Sequence, residues 1–396
     1  MYVGTSKKRA YKVSWRTGHL PVMRKVCAEK RIIMADRALA HIEVINSITP
    51  IKGKDRIVLA TVLGWTVIVQ KDAYKVGDKV VFCEIDSVFP EKPEFEFLRS
   101  KKFRIKTMKM AGVLSQGICF PLSILPEGKY KVGDNVTDII GITQYETTMD
   151  KERGESQEID QLIKKYPKFL MKRAWFRRLV GDKKLEKGFP DFISKTDEIR
   201  IQNAPYYLNM DCKWIATEKV DGQSGSFTLK RIKGRHFWNK DTYDFAVCSR
   251  NLRKWKVDKS SYWQVAKEYN IEDILHRLIG DREWVAIQGE CIASDVQGNK
   301  YHVRKPDMYV FNLIYPEGRV GSLEAKKLIN EQGLKFVPII SEDAPIKGMT
   351  VSEVLEYATG KSELYDCLRE GIVFRSQDGK QSFKAVSPEF LIKNNE

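Results

Sequence analysis

Histidine is scarce in this chain, and the five present, His19, His41, His236, His276 and His302, have no spacing that suits a zinc site or a Ser-His-Asp triad. They read as structural or surface residues. The seven cysteines, Cys27, Cys83, Cys119, Cys212, Cys248, Cys291 and Cys367, are scattered singly, which argues against a disulfide framework and fits a reducing, intracellular compartment, the cytoplasm. Cys83 and Cys119 lie in apolar runs, where cysteine packs as a small core residue. No stretch nears the roughly 20 continuous apolar residues of a membrane helix. No membrane partner is expected. Acids are short of bases: 52 Asp and Glu against 68 Lys and Arg leave a formal charge of +16. Such a field attracts polyanions, nucleic acid first among them.

With 396 residues, 42% hydrophobic and 30% charged, the chain has the length for two globular domains. The first 33 residues hold nine Lys or Arg against one acid, Glu29, and residues 1–37 read as a basic arm. Its shortage of acids also suits an organelle transit peptide, although it is poor in serine. Residues 38–140 change to short β-rich runs, Ile42 to Ile48, Arg56 to Leu63, Trp65 to Val69, Val80 to Ile85 and Gln116 to Phe120, separated by turn residues. The reading is an all-β, closed barrel of OB type. Tyr74-Lys75-Val76-Gly77-Asp78 returns as Tyr130-Lys131-Val132-Gly133-Asp134, each copy ending in a turn.

Residues 141–195 form a charged linker with a basic strip, in which Leu162, Tyr166, Phe169, Leu170, Trp175, Phe176 and Leu179 alternate with Lys and Arg. Two readings stand there: a helix with a packed apolar stripe, or a track for a phosphate backbone. Residues 196–396 read as an α+β domain. Lys259 to Ile279 and Ser352 to Tyr357 have helical spacing, whereas Glu283 to Ile292, Met308 to Tyr315 and Gly371 to Phe374 read as strands.

One segment carries chemistry, Thr217-Glu218-Lys219-Val220-Asp221-Gly222-Gln223-Ser224. Lys-x-Asp-Gly alone is weak, but further segments follow it in order: Cys248-Ser249-Arg250-Asn251, Gln288-Gly289-Glu290, Tyr309-Val310-Phe311-Asn312, Glu370-Gly371-Ile372-Val373 and Ser382-Phe383-Lys384-Ala385. Singly, these read as a strand with a turn, a core aromatic or a solvated charge. Their order resembles motifs I to V of the covalent nucleotidyltransferase superfamily of DNA ligases, RNA ligases and mRNA capping enzymes. Earlier segments, Ile51-Lys52-Gly53-Lys54-Asp55-Arg56-Ile57, Val62-Leu63-Gly64-Trp65, Glu84-Ile85-Asp86-Ser87-Val88, Ser115-Gln116-Gly117 and Phe189 to Glu198, resemble the ATP-dependent RNA ligase family with an N-terminal OB domain.

A lysine attacks phosphorus only as the free amine, so Lys219 calls for a site that lowers its pKa, by burial or by nearby cations. By resemblance, Lys219 takes AMP from ATP, Glu370 and Asp221 hold Mg2+ or Mn2+, and Lys384 contacts the α-phosphate. Glu290 and Arg250 would take the ribose, Phe311 the adenine face, Glu218 the adenine edge and Arg200 the leaving phosphates. Motif V often reads Lys-x-Lys, whereas Ser382-Phe383-Lys384 offers one lysine.

The resemblance implies a monomeric RNA ligase that joins 3′-hydroxyl and 5′-phosphate ends in RNA repair, on a nicked duplex or on RNA joined to DNA. Two alternatives are an mRNA guanylyltransferase and a non-catalytic RNA-binding protein on a ligase scaffold. Capping enzymes usually carry their OB domain after motif V, whereas 12 residues follow Lys384. The inert scaffolds tend to lose the nucleophile, and Lys219 is present.

Overall fold

The computed structural model describes residues 37–145, 188–234, 236, 239–254, 260–294 and 296–394. The basic arm as far as residue 36 and the basic strip of residues 162–179 lie outside these. Among the described residues no helix is long and apolar enough to cross a membrane.

Strands β1 (Ala40–Pro50), β2 (Ile57–Val62), β3 (Trp65–Gln70), β4 (Lys79–Cys83) and β5 (Ile118–Pro121) make one antiparallel sheet in the order β3-β2-β1-β4-β5. The first half of β1 pairs with β4 and the second half with β2, with a register shift between Ile45 and Ser47. A bulge bends the strand and adds twist, so the sheet curls around Ile42, Ile45, Trp65, Val67, Val80 and Phe82. The expected barrel is therefore curled but not closed by a ladder. Instead the hairpin Thr107–Met110 with Val113–Gln116 leans on β3, where the Thr66 hydroxyl donates to the Leu114 carbonyl and the Ile68 N–H donates to the Ser115 hydroxyl, each at 3.0 Å. A side-chain hydroxyl stands where a ladder carbonyl would be, so pairing stops there.

The repeated pentapeptide builds one turn twice. Asp78 accepts from the Lys75 N–H at 2.8 Å and Asp134 from the Lys131 N–H at 2.7 Å, and Gly77 and Gly133 donate to the carbonyls of Ile45 and Ile42. Both turns thus clip onto β1.

The second half contains β6 (Trp214–Lys219), β7 (Gln223–Ile232), β8 (Thr242–Cys248), β9 (Trp284–Ile292), β10 (Asp307–Tyr315), β11 (Gly371–Ser376) and β12 (Ser382–Val386). One sheet runs Ile339–Ser341, β6, β11, β12, and the other runs Arg253–Lys254, β8, β7, β9, β10, Gly318–Arg319. Consecutive strands β6 and β7 lie in different sheets. The three residues between them, Val220, Asp221 and Gly222, therefore cross from one sheet to the other, and the site forms at that crossing.

The helical run expected over 259–279 is two helices, α1 (Ser261–Glu268) and α2 (Ile271–Ile279), because Asn270 adopts a left-handed conformation (φ 49°) between them. Helix α3 (Ser322–Glu331) has no counterpart in the sequence reading. Helix α4 (Val351–Ala358) opens on a capping box between Thr350 and Glu353, and α5 (Pro388–Lys393) follows β12.

The two halves meet along a polar seam. Gly64 donates to the Gln202 carbonyl at 2.8 Å, Trp65 Nε1 to Asn203 Oδ1, and Asn203 Nδ2 to Glu84 Oε1 at 2.6 Å. A Cβ on Gly64 would stand 2.9 Å from the Gln202 Cα, so only glycine permits this approach.

Candidate active site

Lys219 ends β6 directly opposite Gly371, and its Nζ lies 2.6 Å from Glu370 Oε2. Glu290 on β9 faces Ser224 on β7; its oxygens accept from the Gly222 N–H at 3.1 Å and the Ser224 hydroxyl at 2.9 Å. Asp221 accepts from Lys300 Nζ at 2.6 Å, and its N–H donates to the Tyr301 hydroxyl at 2.7 Å. A side chain at Gly222 would meet the Cys291 carbonyl at 2.6 Å, so the tight crossing requires glycine.

The electrostatics of this cluster reverse one expectation. Burial pulls the Lys219 ammonium down, but Glu370, Glu290 and Asp221 outweigh it and raise its pKa above the usual lysine value. The ammonium is thus the counterion of a carboxylate cluster. Burial and the negative charge of Glu370 push Asp221 up to about 6, and burial above all pushes Glu290 up to about 7. These oxygen donors, hard and crowded with negative charge, suit a hydrated divalent cation. Among the described residues no group of three or more His, Cys, Asp or Glu side chains could hold a metal ion. Glu370 and Asp221 would accordingly hold such an ion in part through its waters. Because a cation held by Glu370 and Asp221 must displace the proton that the raised pKa of Asp221 retains, Mn2+ affinity should rise between about pH 5 and pH 7 and level off above it. Calorimetric titration at several pH values checks this; an affinity flat across that window would exclude Asp221 from the cation site.

Beside this cluster stands a second one. Asp197 bridges Lys384 Nζ at 2.5 Å and Arg250 Nη2 at 2.7 Å. Burial would push the Asp197 carboxyl up, but Lys384 and Arg250 hold it well below the usual carboxylate range. Burial, helped by Arg200 and Lys219, brings Lys384 down to about 8 despite Asp197. Arg200 pairs in the backbone with Lys384, and its Nη2 lies 3.3 Å from Asp86 Oδ2, across the seam. The neighbouring Glu198 turns the other way, to Ser382, Arg319 and Arg375.

Phe311 owes its placement to an irregularity. Gln288 pairs with Asn312 and Gly289 with Val310, which leaves Phe311 as the extra residue of a β-bulge. Bulges re-aim side chains, and here the ring is half-buried with the Arg375 guanidinium 5.7 Å from its centroid. Glu218 differs from the simple picture of a carboxylate free to meet a base. It is buried, and its two oxygens accept from the Ser362 hydroxyl and, at 2.8 Å, from the Glu363 N–H.

The structure therefore gathers Lys219, Asp221, Glu290 and Glu370 into one cluster and Lys384 and Arg250 into another, with Arg200 alongside. It adds Asp197, Lys300, Tyr301 and Ser362, which sequence reasoning did not assign. Asp197 sits in the segment Phe189 to Glu198 that carried the family resemblance, so a signal existed; Lys300, 79 residues from its partner Asp221, had none.

Comparisons with known proteins bear on this geometry. A family model described as RNA ligase matches residues 212–386, and one described as an OB-fold domain matches residues 39–122. A solved RNA ligase of Naegleria gruberi with pyrophosphate is 30% identical with a TM-score of 0.74, covering 91% of this chain and 99% of its own. A mutant of that enzyme with ATP and manganese is 30% identical at a TM-score of 0.72, covering 91% of this chain and 98% of its own. Another, with AMP and manganese, is also 30% identical at 0.72, covering 90% and 99%. A search of curated protein sequences finds no match.

Proposed function

This chain belongs to the RNA ligase family, and we propose that it seals RNA in three nucleotidyl transfers through a lysyl-AMP intermediate at Lys219. In the first, the Lys219 ammonium gives one proton to solvent, the freed lone pair on Nζ forms a bond to the α-phosphorus of ATP as the bond from that phosphorus to pyrophosphate breaks, and the second proton on nitrogen then also passes to solvent. The AMP then moves to a 5′-phosphate end. A 3′-hydroxyl attacks that activated end and AMP leaves. The observation that carries this reading is the Lys219 amine at the crossing between sheets, ringed by Glu370, Asp221 and Glu290 and faced by Lys384.

Mg2+ or Mn2+ held by Glu370 and Asp221 would neutralise the carboxylates and the phosphate charge. The chain's own residues do the rest. Lys384 and Arg250 meet the α-phosphate and ribose, for which the Asp197 bridge keeps both cations in place, and Glu290 takes a ribose hydroxyl. Arg200 takes the leaving phosphates. A nicked duplex, RNA on at least one side of the break, is the proposed substrate and repair the proposed role, with phosphate contacts supplying affinity rather than sequence. Incubation with labelled ATP and GTP, followed by sealing of nicks with RNA or DNA on each side, tests the reading. Labelling by GTP alone would overturn it in favour of a guanylyltransferase.

An aromatic ring stacks on any purine, so Phe311→Ala should weaken labelling by ATP and GTP alike. Choice between them belongs to the base edge. A carboxylate has about four lone-pair positions, so Glu218 can accept from the adenine amino group while keeping Ser362 and Glu363. Glu218→Gln should slow labelling with ATP by about tenfold, the worth of one charge-assisted hydrogen bond, and narrow the preference over GTP. An unchanged ratio of ATP to GTP labelling rates would take Glu218 out of base recognition.

A further inference from the structure

Asp86 collects three guanidinium groups on one carboxylate. Its Oδ1 lies 3.2 Å from Arg104 Nη2, and its Oδ2 lies 3.3 Å from Arg200 Nη2 and 3.5 Å from Arg37 Nη1. Arg200 and Arg104 are both buried, and among the described residues Asp86 is the only carboxylate paired with Arg200. Arg200 Nε and Nη1, and Arg104 Nε, find no hydrogen-bond acceptor among the described residues. Buried donors of a charged group left without acceptors are costly, and a cationic fork with spare N–H groups is built for an anion with several oxygens.

The carboxylate is also held still. Asp86 adopts a left-handed backbone (φ 70°), fixed by its N–H donating to the Ile105 carbonyl at 3.0 Å and by its carbonyl accepting from Tyr145 at 2.7 Å. On the other side of the seam the backbone before Arg200 is tied to β12, since Lys384 N–H donates to the Ile199 carbonyl at 2.8 Å. Arg200 thus has its backbone in the transferase half beside Lys384 and its guanidinium on a carboxylate of the N-terminal half. Asp86 is the contact that fixes the direction of that guanidinium across the seam.

We propose that Asp86 is a positioning residue for adenylyl transfer: its carboxylate holds the Arg200 fork beside Lys384. The proposal rests on the reading of Arg200 as the contact for the leaving phosphates. Formation of lysyl-AMP and its reversal by pyrophosphate depend on Asp86; the final attack by a 3′-hydroxyl on an already adenylated end, which releases AMP and no pyrophosphate, does not.

The test compares these steps in the full chain. Asp86→Asn keeps the shape and tolerates the left-handed backbone but removes the charge. It should slow formation of the AMP adduct by about tenfold or more and raise the pyrophosphate concentration for half-maximal reversal by a similar factor, while sealing of 5′-adenylated RNA stays within about twofold. The double variant with Arg200→Ala should be no slower in adduct formation than Arg200→Ala alone, because both act through one contact. Equal losses in both assays, or additive losses in the double variant, would overturn the proposal and leave Asp86 a docking residue of the seam. If Asp86→Asn does not fold, Asp86→Glu, which keeps the charge and shifts the oxygens by one methylene, is read in the same two assays. Full adduct formation by Arg200→Ala would instead sink the Arg200 assignment itself, whatever Asp86→Asn does.

Discussion

Lys219→Ala is expected to abolish the protein–AMP adduct, a fall of at least about four orders of magnitude in labelling with ATP. The size follows from the proposed role, a nucleophile held in line with the α-phosphorus, since such placement is worth effective concentrations far beyond any amine in solution. A second lysine, Lys300, is near enough to pair with Asp221, but its ammonium is committed to that carboxylate at 2.6 Å and stands over the Phe390 ring. It does not substitute for Lys219. The check is adduct formation with labelled ATP followed by peptide mapping. Residual label on Lys300 would mean that the pocket admits either amine, and undiminished label would remove Lys219 from the chemistry.

Glu370→Gln should cost about 10²- to 10³-fold in adduct formation, the scale of losing one preorganised electrostatic contact in a reaction centre. Two effects of opposite sign meet here. Glu370 is the first of the charges that raise the Lys219 pKa, so removing it lowers that pKa and frees more amine at neutral pH. Taken alone this would speed attack. If Glu370 holds the divalent cation as proposed, the same substitution removes an oxygen donor for it, and we expect that loss to dominate because the phosphates then have less positive charge to meet. Reaction of Lys219 with an external amine reagent separates the two: its pH profile should move to lower pH in Glu370→Gln even as adenylation falls. A profile that moves up, or does not move, would show that Glu370 does not govern the Lys219 proton.

Much of the candidate site was legible because the residues that the fold gathers are of distinctive types in a fixed linear order. Lys219, Asp221, Arg250, Glu290, Phe311, Glu370 and Lys384 could be singled out before any distance was known. The strands that carry Glu290, Phe311 and Gly371 showed in their apolar runs, and β9, buried along its whole length, left the plainest trace. What did not show were features made by irregularity. The bulge that isolates Phe311 and the left-handed Asn270 that divides α1 from α2 are each a departure by one residue from a period, which is what sequence patterns report, and the hydroxyl contacts that stop the barrel ladder at β3 join residues 47 and 48 apart.

Sequence alone determined the reaction class, the order of the motifs and the division into a β-rich first half and an α+β second half, since these depend on local chemistry and periodicity. Charge balance belonged to the tertiary structure. Lys219 and Glu370 are 151 residues apart, Arg200 and Asp86 are 114 apart, and Lys384 and Asp197 are 187 apart. A pKa is set by the charges within a few ångströms and by the water excluded around them. Only the folded chain brings three carboxylates to Lys219, so the expected depression of its pKa became a rise, and only the seam between the halves places Asp86 where Arg200 needs a counterion.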